Sequence, residues 1–348
     1  MTDPGVNPAV RAYHDGTKHH FHRYARSLGY LDWASQPNPF RSFAGAPLVL
    51  LPPRPAASAE SATRNPQSAI VASVLRHALG LSAWKQLGAS RWALRVNPSS
   101  GNLHPTEAYV VVGESAGLGD APGVYHYAPD RHGLERRCAF DAAAWRDAGM
   151  EGDGWLVALT SIHWREAWKY GERAFRYCQH DMGHAIAAVR LAASMAGCDA
   201  RLLPEWSGAD VAALTGLDRD EDYFEAEREE AGCLILIGRQ SIVVSTESRV
   251  VSRVGSRVVS REESRSVRRG VSRAPLLAAV RTGVWTGRAS QLSEDHTTWS
   301  FIDEIAAATR DPGRESLLPP SPPPSELKSD PNLEFARIVC AGRQAEVR

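Results

Sequence analysis

The sequence predicts a fold of mixed helices and strands, and three observations support this prediction. Trp155–Ile162 is apolar on both faces, as expected of a central strand that is covered on each side. The β-prone runs Ala108–Val112 and Gly123–Tyr127 lie close together in the chain and are expected to pair as a hairpin. In Glu172–Ala196, apolar residues recur at alternating three- and four-residue steps, which predicts one long buried helix.

The N-terminal region is expected to be an extended arm that wraps a larger body, because prolines recur from Pro37 to Pro55. A cluster of histidines precedes them, but no carboxylate or cysteine repeats at a ligand offset, so no metal site is predicted. A helix is predicted over Gln67–Leu79, where apolar residues keep helical spacing. The histidines are His14, His19, His20 and His22.

The elements after the long helix follow from local signals. Gly197 is expected to end that helix, Ser207 to cap a short one, and Cys233–Ile237 to form a buried closing strand. From Ser248 to Arg265, serine and arginine recur every fourth residue, which indicates a solvated low-complexity insertion. Its arginines leave open a contact with RNA or another polyanion, although no aromatic residues are interleaved. Leu317–Pro331 is rich in proline and is expected to be a stiff linker.

Composition narrows the classes of protein. The chain has 348 residues with 40 basic and 40 acidic side chains, so its overall charge favours neither nucleic acid nor a membrane surface as a partner. No stretch approaches the ~20 apolar residues of a membrane span, and the N-terminus has no apolar run of a secretory signal. Five scattered cysteines without CxxC spacing indicate reduced thiols and predict a cytoplasmic protein.

A possible nucleophile is Ser115, because Gly113–Gly117 matches the GxSxG motif of the nucleophile elbow. That motif requires a helix directly after the serine. Here Leu118–Gly123 supplies glycine and proline instead, so a hairpin loop fits better and a serine hydrolase is only a third alternative. Neither a GxGxxG after a strand nor a P-loop motif occurs, so neither nucleotide-binding fingerprint is present.

Two other stretches carry candidate chemistry. The turn Asn97–Asn102 exposes N–H groups, hydroxyls and an amide to which a flat polar ligand can bind, or it is simply a loop before a strand. At the start of the long helix, Lys169 and Tyr170 can orient and exchange a proton, while Arg173 and Arg176 can hold an anion. The alternative for this second stretch is a helix end with solvated charges.

The order of these residues resembles a known family. Pro98-Ser99-Ser100-Gly101-Asn102-Leu103-His104-Pro105, with Glu107 and Tyr109, is similar to the P-S-[AS]-G-N-x-x-P-x-E-x-Y stretch of flavin-dependent nitroreductase-fold proteins. Lys169-Tyr170-Gly171-Glu172-Arg173, with Tyr177 and Gly183-His184, resembles the K-Y-G-x-R…Y…G-H segment of one branch, the SagB/ThcOx-type azoline dehydrogenases. The resemblance is patchy, and it spans roughly Tyr13–Gly238 and Gly283–Asp311.

The resemblance implies an α+β fold with a central antiparallel sheet wrapped by helices, and FMN bound where two such units meet. It implies catalytic roles for Lys169 and Tyr170. The chemistry implied is removal of a Cα proton and hydride transfer to the flavin, converting peptide azolines to azoles, or reduction of small acceptors with NAD(P)H. The cofactor-binding residues it implies are Pro98, Ser99, Ser100, Gly101, Asn102, Leu103 and Arg173.

The resemblance also divides the chain, as the first half of a tandem protein. The expected parts are an arm (1–60), a nitroreductase-like domain (61–240), the Ser/Arg insertion (241–275), the end of the first repeat (276–311), the linker (312–331) and the start of a second repeat (332–348). The unit is expected to form a homodimer or to pair with a second nitroreductase-like unit, without a membrane.

One departure from the family supports an alternative function. The family usually opens with an arginine-rich stretch that binds the flavin phosphate, whereas the matching region here has only Arg76. The alternative is therefore a non-catalytic scaffold or partner subunit that lacks flavin.

Overall fold

A computed structural model describes residues 7–52, 66–114, 118–150, 152–239 and 271–313. Within these residues, eight strands form one sheet. They are β2 (Leu48–Leu50), β5 (Thr106–Val112), β6 (Gly123–Ala128), β7 (Gly133–Ala139), β8 (Trp155–Ser161), β9 (Cys198–Leu202), β10 (Glu230–Arg239) and β11 (Val284–Trp285). The strand order is β11–β7–β6–β5–β8–β10–β9, with β2 also paired to β7, and every pairing is antiparallel.

Two smaller pairs of strands lie beside this sheet. β3 (Leu81–Leu87) and β4 (Ser90–Arg95) form a separate ribbon that leads directly into the polar turn. β1 (Phe43–Ala44) pairs with β12 (Arg288–Ala289), which ties the N-terminal arm to the end of the described chain.

The predicted strands occupy the centre of the sheet. Val110 of β5 lies opposite Val157 of β8 on one side and Tyr125 of β6 on the other, so the expected hairpin is confirmed. All seven residues of β8 are buried, which agrees with a central strand covered on both faces. Ile235 of β10 lies opposite Val157, so the predicted closing strand pairs with the centre rather than lying at an edge.

Helices cover both faces of the sheet and complete the α+β fold that the resemblance predicts. The helices are α1 (Pro8–Thr17), α2 (Pro66–Ala78), α3 (Ala142–Asp147), α4 (His163–Tyr170), α5 (Ala174–Met195), α6 (Gly208–Thr215), α7 (Arg273–Thr282) and α8 (Ser300–Ala308). Of these, α2 and α5 pack on one face of the sheet around Val110 and Leu159. On the other face, α3, α6 and α7 pack around Val111 and Leu156.

The long predicted helix is α5, preceded by a short 3-10 turn at Gly171–Arg173 and ended by Gly197 at φ 72°. Its buried stripe, which includes Cys178, Met182 and Val189, packs on the sheet. The opposite side is exposed in the described chain, and Leu191 there is 57% exposed. The helix therefore has one buried face, rather than close neighbours nearly all round.

The N-terminal arm is partly helical. α1 occupies residues 8–17 and packs against α8, and a second short turn forms at Trp33–Ser35. Ser115, residues 241–270 of the Ser/Arg insertion, and the linker and second-repeat region from residue 314 onward lie outside the described residues. α7 already begins at Arg273, inside the boundary expected for the insertion.

Two further findings concern predicted features. Residues 118–122, which follow Ser115, form a turn before β6 begins, so the helix that a nucleophile elbow requires is not found there. No helix among the described residues has the length and apolar character to cross a bilayer.

Candidate active site

The polar turn has a strained backbone. It forms a short 3-10 helix at Ser100–Asn102, between β4 and β5. Gly101, Asn102 and His104 have φ values of 64°, 61° and 52°, in the left-handed region that side-chain-bearing residues rarely adopt. Residues held in such conformations cost on the order of 1–3 kcal/mol and cluster at functional sites. The strained backbone supports the prediction that this turn has a function.

Hydrogen bonds between neighbouring residues hold this conformation. Asn102 Nδ2 donates to the Ala93 carbonyl at 2.9 Å, and the His104 amide donates to Ser99 Oγ at 2.8 Å. Burial lowers the pKa of His104 to about 2, so its ring is neutral. Since Asn102 Nδ2 is already a donor, His104 Nε2 carries the ring proton and donates to Asn102 Oδ1 at 2.9 Å. His104 Nδ1 is then an acceptor, and it has no partner in the described chain.

The turn meets the Lys–Tyr pair at Gly101. A β-carbon added to Gly101 would lie 2.7 Å from Tyr170 Oη and 3.1 Å from Lys169 Nζ. Both side chains lie at the end of α4, where Gly171 reverses the chain at φ 54°. The tertiary structure thus brings together two stretches that are about seventy residues apart in the sequence. Glycine suits position 101 because of its backbone angle, and a side chain there would displace the ends of Tyr170 and Lys169.

Aromatic rings and cations surround this meeting point. The rings of Tyr170 and Tyr177 are 4.4 Å apart, and Lys169 Nζ lies 5.4 Å from the Tyr170 ring centre. Burial, followed by the nearby charge of Glu166, raises the pKa of Tyr170 to about 12. Tyr170 is therefore a protonated donor at neutral pH. Lys169 and Gly101 are exposed, so the site is open to solvent in this chain.

Arg173 binds the N-terminal arm. Its Nε donates to Tyr177 Oη at 3.0 Å and its Nη1 donates to the Thr17 carbonyl. Arg176 Nη2 reaches Thr17 Oγ1 at 3.2 Å, and Tyr13 Oη donates to the Glu172 carbonyl at 2.7 Å. These contacts fasten α1 to the segment that carries the Lys–Tyr pair.

Sequence reasoning missed two buried carboxyl groups beneath the turn. Asp181 of α5 accepts hydrogen bonds at 3.1 Å from both the amide and the hydroxyl of Ser100. Glu166 of α4 lies beside Asp181, and both residues are 0% exposed. A sequence signal for Asp181 existed, because it adjoins Met182 in the apolar stripe, where a charge needs a partner.

A second buried network supports the strand that follows the turn. Glu107 of β5 forms an ion pair with Arg165. The ring of His126 is hydrogen-bonded to Glu107 at 3.0 Å through Nε2 and to Glu135 at 2.9 Å through Nδ1. Burial alone would lower the pKa of His126, but the two carboxylates raise it to about 9. Burial would raise the pKa of Glu107, but Arg165 and His126 hold it well below its usual range. His126 is therefore an imidazolium held between two carboxylates.

Fold and site together define an α+β protein in which a strained turn meets a Lys–Tyr pair above buried acids. A profile of the nitroreductase family matches residues 63–238, about half of the chain. The chain therefore belongs to the nitroreductase family, and the resemblance at this level is confirmed. Its assignment to the azoline dehydrogenase branch stays a prediction.

Two relatives match part of the chain. A protein of Methanocaldococcus jannaschii described as a nitroreductase is 30% identical over 106 residues, which are 29% of this chain and 52% of that protein. The trifolitoxin-processing protein TfxB of Rhizobium leguminosarum bv. trifolii is 34% identical over 112 residues, 29% of this chain and 30% of TfxB. The chain thus spans about half of the length of one relative and less than a third of the other.

A solved structure shares the fold. A crystal structure described as a nitroreductase from Anabaena variabilis has a TM-score of 0.53 and 24% identity to this chain. The match covers 66% of this chain and 46% of that one. At this level of identity the likeness concerns the fold alone.

Proposed function

We propose that the chain is one unit of an FMN-dependent oxidoreductase of the nitroreductase type. The reaction is either dehydrogenation of a peptide azoline to an azole, or reduction of a small acceptor with NAD(P)H. The observation that carries the proposal is the approach of Gly101 to Tyr170 Oη and Lys169 Nζ. The similarity to TfxB, which is named for processing trifolitoxin, favours a peptide substrate.

The turn suits a flat polar ring such as that of flavin. Its backbone is held in a strained shape, and Gly101 is exposed. Asn97 Oδ1 and His104 Nδ1 are buried acceptors without a partner in the described chain, and they can serve the N–H edge of a ring. We assign the ring contact to Pro98, Ser99, Ser100, Gly101, Asn102 and Leu103.

In the described residues, the two candidate arginines for the phosphate of the cofactor are engaged elsewhere or largely buried. Arg173 uses two of its nitrogens on Tyr177 and the arm, so its role here is to position the Lys–Tyr segment. Arg76 in α2 is only 8% exposed. This observation favours the second candidate, a non-catalytic unit that pairs with a flavin-bearing partner.

Bound FMN would supply the acceptor or donor of a hydride. The residues of this chain would accept and donate the protons of the substrate beside the flavin. Lys169 Nζ, exposed and adjacent to the turn, can take a proton from the substrate carbon when it is neutral. Tyr170, with its pKa raised to about 12, keeps its proton and donates a hydrogen bond that orients the substrate or Lys169.

A second unit is proposed to cover the site. The exposed side of α5 carries Gly183, His184, Ala187 and Leu191, and no atom lies within 4 Å of a β-carbon added to Gly183. A helix face made of small and apolar residues allows close approach of another backbone. A homodimer or a pair with another nitroreductase-like unit would bury Leu191.

Flavin binding tests the proposal directly. FMN is titrated into the full 348-residue chain, and flavin absorbance and fluorescence quenching are followed. We expect binding by the wild type and by Glu304→Gln, an exposed control on α8, but weaker binding by Gly101→Val. A chain that takes up no FMN alone, but does so with an added nitroreductase-like partner, would favour the non-catalytic unit. No binding in either case would refute the proposal.

Activity separates the two reactions. Oxidation of a thiazoline peptide is followed by mass spectrometry as the loss of two hydrogens, and reduction of a nitroaromatic by consumption of NAD(P)H. Lys169→Ala is expected to abolish azoline oxidation while FMN binding persists, since Lys169 acts on the substrate proton. If Lys169→Ala oxidises the peptide at the wild-type rate, the assigned base is wrong.

A further inference from the structure

Two carboxyl groups from different helices lie side by side below the candidate active site. Glu166 is in α4 and Asp181 is in α5, and both are 0% exposed. No donor in the described chain bonds either carboxyl oxygen of Glu166 with good geometry. Asp181, in contrast, accepts from the amide and hydroxyl of Ser100 at 3.1 Å. Both Ser100 donors are thus directed at Asp181, whereas the Ser99 hydroxyl has only a smaller effect on Glu166.

The difference in hydrogen-bond donors between Asp181 and Glu166 determines which of the two carboxyl groups carries a proton. Two ionised carboxylates in contact inside a protein repel strongly, because neither water nor salt screens them. Asp181 is satisfied as an anion by the Ser100 donors. Glu166 has no donor of comparable geometry in the described chain, so it gains by carrying a proton and donating to Asp181. The same division of one proton between two carboxyls occurs in acid pairs of enzymes.

We propose that Glu166 and Asp181 share one proton, carried by Glu166, and that this acid pair positions the Ser99–Gly101 turn against Lys169. The first part concerns the unliganded chain, and the second rests on the proposed function of the turn. Glu166 and Asp181 are positioning residues, since they act through Ser100 and do not themselves reach the open side of the site.

The groups around Glu166 agree with this assignment. Burial is the largest cause, and the charge and hydrogen bond of Asp181 come next; together they raise the pKa of Glu166 to about 9. Lys169 and the Ser99 hydroxyl act in the opposite direction with smaller effect. Burial is the largest cause of the raised pKa values of Tyr170 and Cys178, and the charges of Glu166 and Asp181 add to it. The pair therefore holds a single negative charge at neutral pH.

Infrared spectroscopy of the chain without flavin tests the shared proton. We expect a carbonyl band of a protonated carboxylic acid at neutral pH in the wild type and in the control Glu304→Gln, and its loss in Glu166→Gln. Labelling glutamate carboxyl groups with ¹³C in the wild type should shift the band, which assigns it to a glutamate rather than an aspartate. A band that does not shift, or that Glu166→Gln retains, would overturn the proposal.

The pH dependence of FMN affinity tests the positioning role. Glu166→Gln keeps a donor to Asp181 and the single charge, so its affinity should match the wild type near pH 7. At pH 10, one unit above the pKa of about 9, the wild type should weaken about tenfold more than Glu166→Gln, because a second buried charge displaces the Ser100 anchor. The FMN affinity of Glu304→Gln should change with pH as that of the wild type does. This control accounts for the effects of pH on FMN itself and on other groups of the protein.

The two experiments fail separately. If wild type and Glu166→Gln respond to pH equally, the positioning role is wrong even where the infrared band is present. If the chain binds no FMN at any pH, the proposed function fails, while the infrared result still decides the shared proton.

Discussion

The imidazolium of His126 is expected to make the stability of the fold depend on alkaline pH. Its pKa is raised from 6.5 to about 9 by Glu107 and Glu135, against the effect of burial. Because the folded-state pKa lies above the unfolded value, this contribution is complete below pH 6.5 and is lost as pH rises through about 9. At roughly 1.4 kcal/mol per pKa unit, the shift corresponds to about 3 kcal/mol of unfolding free energy.

The perturbation is His126→Gln, measured by urea denaturation between pH 6 and pH 10. Glutamine fills similar space but carries no charge, so the variant leaves Glu107 and Glu135 without the cation between them. We expect its unfolding free energy to fall below that of the wild type by about 3 kcal/mol near pH 6 and the gap to close towards pH 10. The proton of Glu166 is lost over an overlapping range, but it is common to both proteins and cancels in the difference.

The exposed His22→Gln serves as the control, and its difference from the wild type should be small at every pH. A gap between wild type and His126→Gln that is equally large at pH 6 and pH 10 would refute the reasoning. The imidazole would then stabilise the fold through packing or neutral hydrogen bonds, and not as a cation.

Three further predictions concern glycine, charge and capping. Gly101→Ala should lower the unfolding free energy by about 1–2 kcal/mol because of its positive φ, whereas the helical Gly183→Ala should raise it by about 0.5–1 kcal/mol; equal effects in urea unfolding would contradict this. Arg165→Met removes one ion pair of Glu107 but leaves His126 and Arg95 beside it, so it should cost about 1–3 kcal/mol at neutral pH, a loss that should shrink at low pH in thermal unfolding. Ser207→Ala breaks a capping box and should cost about 1 kcal/mol by the same measurement; an unchanged melting temperature would show that the cap is dispensable.

Elements with a regular apolar pattern could be predicted from the sequence. The stripe of α5 and the two-sided apolar run of β8 need only the periodicity of their own residues, because burying those residues requires a helix or a covered strand. Gly197 ends α5 and Ser207 caps α6, as predicted, because each needs only the backbone of its neighbours in the chain. Such features do not depend on distant parts of the chain.

β7 could not be predicted in this way. Its sequence includes Glu135 and Arg137, which are charged yet 2% and 0% exposed. Arg137 is buried because Asp222, 85 residues later, accepts a hydrogen bond from it at 2.8 Å. In the sequence, a charged residue indicates a surface position, because its burial depends on a partner that only the fold places beside it. β9, a short strand of mixed polarity at the sheet edge, gave no clear pattern either.

The sequence by itself determined the mixed α and β character, the central helix and strands, and the two motifs of the candidate site. Only the tertiary structure decided how those motifs meet. It placed Gly101 against Lys169 and Tyr170, directed Arg173 to the arm, and set Glu166 beside Asp181 beneath the turn. Periodicity depends on neighbours in the chain, whereas the protonation and pairing of buried charges depend on groups brought together only by folding.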